Sequence, residues 1–192
     1  MAQIFNSLPH PKTDTVNYCI SKFDQEQAIV EIALTKLFAQ YPLNTALDEV
    51  LIKVTALNDM YRTSIWATYK VAERIHELDV DPKIRKGEPE IVNAIAQVRL
   101  GNKMRNNYSF ASKYCAWHNP INYPIFDGYV GQMLWEYSKR DKFDTFFQYD
   151  LWTFSRFKQV MANFRSFYNL ESYSFKDLDK FLWLAGKDLF SK

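Results

Sequence analysis

Apolar residues in this chain recur every three or four positions, and that spacing constrains the fold more than any other feature. The clearest case is the segment 151–168, where leucine, phenylalanine, valine and methionine side chains form one continuous stripe of helical period. Glycine occurs only five times in 192 residues, fewer than a turn-rich sheet protein needs. We therefore assign the chain to the all-α class and predict a compact multi-helix bundle.

Capping residues, prolines and the same spacing predict the other helices, with Asn44 as an N-cap and Ser174 with Asp177 as a capping box. These helices are expected over 24–40, over the segment that follows Asn44, and over 64–78, 90–99, 109–118, 128–140, 151–168 and 175–189. The prolines, glycine and charges of 79–89 predict a loop. No segment alternates as a half-buried strand does. We expect a single helical domain over 1–192, with a hinge near 79–89.

Each predicted helix has one apolar face that should turn towards the core. In the helix over 24–40 this face contains Ile29 and Ile32, together with Leu37. In the helix over 64–78 it contains Ile65 and Trp66. These side chains are expected to be buried.

Composition excludes several classes of protein. Hydrophobic residues make up 47% of the chain, which is enough for a real core and argues against disorder. No apolar run has the length of a membrane span, and residues 1–12 lack the pattern of a secretory signal. Cys19 and Cys115 show no CxxC spacing, which favours a reducing compartment. We expect a cytoplasmic protein with no metal, no cofactor and no membrane association.

The charge distribution points to one segment. The whole chain has a net charge of +2, whereas residues 83–105 hold six basic residues against two acidic ones, a net +4. Such a segment predicts either a polyanion-binding surface or an ordinary solvated face. Arg99, Lys103 and Arg105 are the candidate nucleic-acid contacts within it.

Candidate catalytic side chains are most concentrated over residues 109–130. Lys113 lies beside the face that aromatic rings form on the predicted helix 109–118. Shielding by rings disfavours the charged amine, and a neutral amine is a nucleophile that forms Schiff bases. The alternative is a surface lysine whose stem lies along the rings.

Two further groups flank this lysine. Asp127 is placed to cap the helix predicted over 128–140, and a fixed carboxylate also stabilises developing positive charge. His118 ends the helix that contains Lys113, where the helix dipole favours a protonated imidazole or the ring caps carbonyl groups.

The step from Lys113 through a helix to Pro124-Ile125-Phe126-Asp127 resembles the core of the helix-hairpin-helix DNA glycosylases, especially the 8-oxoguanine branch. The resemblance implies a DNA-glycosylase-like helical domain that binds DNA. It implies that Lys113 attacks C1′ of a flipped nucleotide and that Asp127 stabilises the cationic sugar. It also implies nucleic-acid contacts for the residues Arg99, Lys103, Arg105, Tyr114, Trp117 and His118.

A wider set of short strings resembles a group of uncharacterised bacterial proteins. These strings are residues 58–63, 109–114, 118–120, 123–127 and 178–187, so this resemblance covers most of the chain. It implies a family but no activity.

Two other functions are compatible with the residues. One is a non-catalytic helical module that binds nucleic acid or a protein partner. The other is a small helical ribonuclease that uses a basic residue and a histidine on one helix, as Lys113 and His118 would. The arginine usual in that ribonuclease pattern is missing.

Overall fold

The structure, a computed structural model that describes residues 4–191, consists of helices joined by short connections and one two-stranded hairpin. The prediction of an all-α fold is confirmed. The chain separates into two units. The central unit is Ile29–Tyr123, and the terminal unit combines Met1–Ala28 with Pro124–Lys192. Helix α1 (Thr13–Gln40) begins in the terminal unit and ends in the central one.

The central unit is a set of short helices packed in pairs. Its helices after α1 are α2 (Leu47–Met60), α3 (Thr68–Glu77), α4 (Val80–Lys86), α5 (Glu90–Ala96) and α6 (Tyr108–His118). Helix α2 packs against α3, α5 packs against α6, and α2 also contacts α6. Val54, Leu57 and Ile95 are fully buried, as the helical spacing predicts. Burial of this apolar surface is the main force that holds the unit together.

A β-hairpin connects α5 to α6, a structure that the helical spacing did not predict. Strands β1 (Gln97–Leu100) and β2 (Lys103–Asn106) pair antiparallel, with Leu100 opposite Lys103. Gly101 has φ 58° in the two-residue turn, a conformation that glycine adopts without strain. The Gly-Asn pair therefore makes a hairpin turn rather than ending a helix. The predicted helix over 90–99 ends earlier, at Ala96.

The predicted loop over 79–89 was also wrong, because most of it is helix α4. Pro82 stands in the first turn of this helix, where its missing N–H costs nothing. Gly87, at φ 73°, ends the helix in the left-handed conformation. A hinge at this place stays a prediction.

The terminal unit contains α7 (Gly128–Asp141), a 3₁₀ helix (Gln148–Trp152), α8 (Phe154–Phe167) and α9 (Phe175–Phe190). The aromatic stripe predicted over 151–168 is core over most of its length, since Phe154, Phe157 and Phe164 are fully buried, whereas Phe167 is 50% exposed. Helix α7 packs on α9. Ser174 accepts a hydrogen bond from the Asp177 backbone, so the predicted capping box opens α9.

Several side chains predicted to be buried lie on the surface instead. Ile29 is 78% exposed and Ile32 is 51% exposed, while the buried residues of the same part of α1 are Leu34 and Phe38. Trp66 is 98% exposed in the connection between α2 and α3. Contacts with neighbouring helices determine which apolar face of α1 is buried. The periodicity of a single helix does not specify those contacts.

Candidate functional site

Lys113 is buried in the central unit, and its amine is held in place by α6. The residue is only 3% exposed. Its Nζ donates to Ser109 Oγ at 2.7 Å, one helical turn earlier, and lies 5.5 Å from the centroid of the Tyr61 ring. The alternative of a lysine whose amine extends into solvent is therefore wrong. The amine is shielded from bulk water and oriented, as a nucleophilic role requires.

Asp127 is the N-cap of α7, as the sequence predicts. Its backbone is extended (φ −138°, ψ 157°), and its Oδ1 accepts a hydrogen bond from the Tyr129 N–H at 3.1 Å. This contact fixes the carboxylate at the positive end of the helix dipole. Asp127 belongs to the terminal unit and Lys113 to the central unit. The expectation that both side chains line one cleft stays a prediction.

The three basic residues predicted to contact nucleic acid lie together on the hairpin. Arg99 is on β1, and Lys103 and Arg105 are on β2. All three are exposed. Within residues 4–191 they take part in no ion pair, and the ten residues of the two strands and their turn contain no acid. The hairpin thus presents three uncompensated positive charges to solvent.

The aromatic residues predicted at the site are largely part of the interior. Tyr114 is fully buried, and its hydroxyl donates to Asn44 Oδ1 at 2.5 Å. Trp117 is half-buried, donates from Nε1 to the Tyr61 hydroxyl at 3.3 Å and stacks on Phe38. Tyr114 therefore serves the core, and Trp117 is the more accessible of the two rings.

Lys53 forms the centre of a buried polar network that was not predicted from the sequence. The residue is fully buried, and its Nζ donates to the Tyr41 carbonyl at 3.0 Å, the Leu43 carbonyl at 2.6 Å and Asn44 Oδ1 at 2.8 Å. Three acceptors match the three N–H groups of an ammonium. Burial lowers the pKa of Lys53 to about 8, against the opposing field of Asp81. The ammonium ties the chain after α1 to helix α2.

Asn44 joins this network to helix α4. The Asp81 carboxylate accepts from the Asn44 backbone N–H at 2.8 Å and from Asn44 Nδ2 at 2.6 Å. Ala46, not Asn44, is the N-cap of α2, so the polar side chain predicted to cap that helix holds the network instead. Lys53 stands three residues after Val50 and four before Leu57. A charged residue on a buried stripe was the signal that the sequence offered.

His118 borders the same network and is neutral. Burial lowers its pKa to about 3, and the positive charge of Lys53, whose Nζ is 3.5 Å from His118 Nε2, acts in the same direction. A ring N–H donates to the Pro42 carbonyl. The expected protonated imidazole at this helix end is therefore wrong, because burial outweighs the helix dipole.

A cavity of about 270 Å³ lies beside this histidine. Its lining includes Asp81, Ile84, Arg85, His118 and Asn119. Among residues 4–191, no group of three or more histidine, cysteine or acidic side chains is placed to hold a metal ion. None of the helices described has both the length and the apolar character needed to cross a membrane.

The fold and these sites define an all-helical protein with a buried, oriented lysine amine and a basic hairpin in one unit. A family model described as HI_0787_N, an N-terminal domain, matches residues 15–122, more than half of the chain. The chain belongs to this family. The match ends next to Tyr123, where the central unit ends.

A relative from Haemophilus influenzae (strain ATCC 51907 / DSM 11121 / KW20 / Rd) bears the name "Uncharacterized protein". It is 39% identical over 150 residues, which is 78% of this chain and 72% of that protein. No solved structure matches the chain. The predicted membership of a group of uncharacterised bacterial proteins is thus confirmed, and the comparisons support no glycosylase relationship.

Proposed function

We propose that the protein is a DNA-glycosylase-like enzyme that excises a base through the amine of Lys113. One observation carries the proposal: this amine is 3% exposed yet held by Ser109, above the Tyr61 ring. Exclusion of bulk water and a fixed orientation both favour attack by a lysine amine. The exposed arginines and lysine of the hairpin supply phosphate contacts in the same unit.

In the proposed reaction, Lys113 Nζ bonds to C1′ of a flipped nucleotide. The bond from C1′ to the base breaks, its electron pair leaves with the base, and a proton from the amine passes to the base. The C1′–O4′ bond of the sugar then breaks, and its electron pair and the remaining Nζ proton pass to O4′. The nitrogen lone pair forms the C=N bond of a Schiff base between Nζ and C1′.

Borohydride trapping tests this chemistry. The protein is incubated with duplex DNA that carries a damaged base, and borohydride reduces any Schiff base to a stable covalent adduct. We expect an adduct with the natural protein, none with Lys113→Gln, and an unchanged yield with Lys36→Gln, which alters an exposed lysine of α1. Circular dichroism establishes that each variant is folded.

Ser109→Ala gives a finer test, because it removes the acceptor 2.7 Å from the amine and leaves the amine itself. A lower trapping rate with an intact adduct mass is expected if Ser109 orients Lys113. If the folded natural protein forms no adduct on a panel of damaged bases, excision through this amine is refuted.

The second candidate is a non-catalytic module that binds nucleic acid. The observation that favours it is the hairpin, whose three exposed cations need no buried amine to bind phosphates. Salt-sensitive DNA binding without a trapped adduct supports this module. If neither binding nor an adduct is seen at about 50 mM salt, where phosphate contacts are strong, a protein partner is indicated.

A further inference from the structure

The connection between α2 and α3 holds an exposed tryptophan in a fixed position. Trp66 is 98% exposed, whereas its neighbour Ile65 is buried. The Asn58 side chain accepts from the Ile65 N–H at 2.9 Å and donates to the Ile65 carbonyl at 3.1 Å, so both backbone groups of Ile65 are bound. Thr63 Oγ1 also donates to Asn58, at 2.8 Å. The residue that precedes Trp66 therefore has an anchored backbone, while the Trp66 indole itself lies in solvent.

Two left-handed residues shape this connection. Arg62 has φ 50° and Ser64 has φ 59°. Neither is glycine, so each conformation carries a small strain that the surrounding contacts must offset. A strained connection that exposes a large aromatic side chain indicates a functional role for that side chain. Exposed tryptophan on a fixed backbone is typical of a binding surface.

Trp66 is one of the residues that line a groove of about 400 Å³. The hairpin contributes Val98, Leu100 and Met104 as apolar surface and Arg105 as the only charged residue of the lining. Asn106 and Asn107 add amide groups at the end of β2. The groove therefore combines an aromatic face, apolar surface, hydrogen-bonding amides and a positive charge, and its lining contains no acid.

We propose that this groove binds an unpaired strand of nucleic acid, with a base stacked on Trp66 and phosphates along the hairpin. Every base has an apolar face that stacks on an indole, which explains why an aromatic side chain is turned into solvent beside cations. Lys103 and Arg105 are two residues apart on β2, so their backbones are separated by about 6.8 Å, comparable with successive phosphates of an extended strand. A paired base is stacked within its duplex and offers no free face to Trp66.

The charge pattern selects nucleic acid over a protein partner. The hairpin carries three exposed cations and no acid, and the groove lining carries one cation and no acid. A partner with a negative charge at each repeat and flat apolar groups between the charges fits this surface. An ordinary peptide segment, in which both signs alternate, leaves the hairpin cations without partners.

The inference takes nucleic acid as the ligand, as the proposed function does, but it concerns binding and needs no chemistry at Lys113. Its test is the fluorescence anisotropy of a labelled oligothymidine of about 12 nucleotides, within the site size of single-strand-binding folds. The full chain is titrated at several salt concentrations from about 50 mM upwards. The same strand paired with its complement is the comparison ligand.

We expect Trp66→Ala to weaken binding of the single strand at least about fivefold and to leave duplex binding unchanged. Ile121→Ala, which truncates another exposed apolar residue of the central unit, should change neither. The triple variant Arg99→Gln, Lys103→Gln, Arg105→Gln should reduce the slope of log K against log salt by at least about 1.4. Lys103 and Arg105 lie on one face of the hairpin, Arg99 lies on the other, and each phosphate contact contributes about 0.7 on a single strand.

Lys139→Gln is the charge control for the triple variant. It removes a half-exposed cation of the terminal unit and should leave the slope as it is. Equal affinity of Trp66→Ala and the natural protein for the single strand would overturn the proposal. Equal Trp66 dependence for the duplex would overturn the assignment to unpaired strands. If the protein binds the single strand with the expected Trp66 dependence but forms no borohydride adduct, only the excision proposal is refuted. Failure of the excision proposal can therefore be distinguished from failure of the single-strand-binding proposal.

Discussion

The histidine at the end of α6 makes a quantitative prediction about stability and pH. Burial and the nearby Lys53 ammonium lower the pKa of His118 from its ordinary 6.5 to about 3, against the opposing effect of Asp81. The unfolded chain therefore binds a proton at this residue at pH values where the folded chain does not. The sign follows from linkage: stability is fully present above 6.5 and is lost as the pH falls from 6.5 towards 3.

The size of the effect follows from the two pKa values. Between about pH 7.5 and about pH 5, the difference in proton binding at this one residue amounts to about 2 kcal/mol of unfolding free energy. His118→Gln removes the titration, while its side-chain amide still has an N–H to donate to the Pro42 carbonyl. As the pH falls across that interval, the unfolding free energy of the variant should decrease by about 2 kcal/mol less than that of the natural protein.

Urea unfolding followed by circular dichroism at a series of pH values measures this difference. The other titratable groups are common to both proteins, so their contributions cancel in the comparison. His10→Gln, which alters an exposed histidine of the terminal unit, serves as the control and should keep the acid sensitivity. Parallel curves of unfolding free energy against pH for His118→Gln and the natural protein would refute the reasoning.

Two further predictions concern packing. Lys53→Met leaves the part-buried Tyr41 and Leu43 carbonyls without this donor and takes one of two donors from Asn44 Oδ1, so it should lower the unfolding free energy by about 3 kcal/mol. Lys36→Met on exposed α1 surface should change it little; thermal melts compare the two. Gly186→Ala should destabilise by about 2 kcal/mol, because the added Cβ meets Tyr129 Cβ at 2.9 Å where α7 packs on α9. In matched urea titrations Gly128→Ala, whose Cβ meets nothing within 4 Å, should be nearly neutral.

Much of the fold was predictable because its signals are local. The capping box at Ser174 and the N-cap at Asp127 depend on residues within one turn of each other, and both were confirmed. Prediction from local signals failed where one short pattern is compatible with two structures. The pair Gly101 and Asn102 ends a helix or turns a hairpin equally well, and the pairing of β1 with β2 decided between them.

The candidate site was predictable only in part. Lys113 was identified from its place among aromatic rings, and it is buried. Lys53 was missed, although it stands on the buried stripe of α2, because a lysine is ordinarily assigned to a surface. Trp66 was assigned to the core from its spacing, and the anchoring of Ile65 by Asn58 turned it outwards.

The sequence by itself determined the class of the fold, most helix positions and the local caps, since these depend on interactions between residues a few positions apart. Tertiary structure alone decided which face of α1 is buried, that His118 is neutral, and that Asn44 and Lys53 share one network with Tyr114. Those properties arise from desolvation and from contacts between residues far apart in the chain. No pattern within a single helix encodes them.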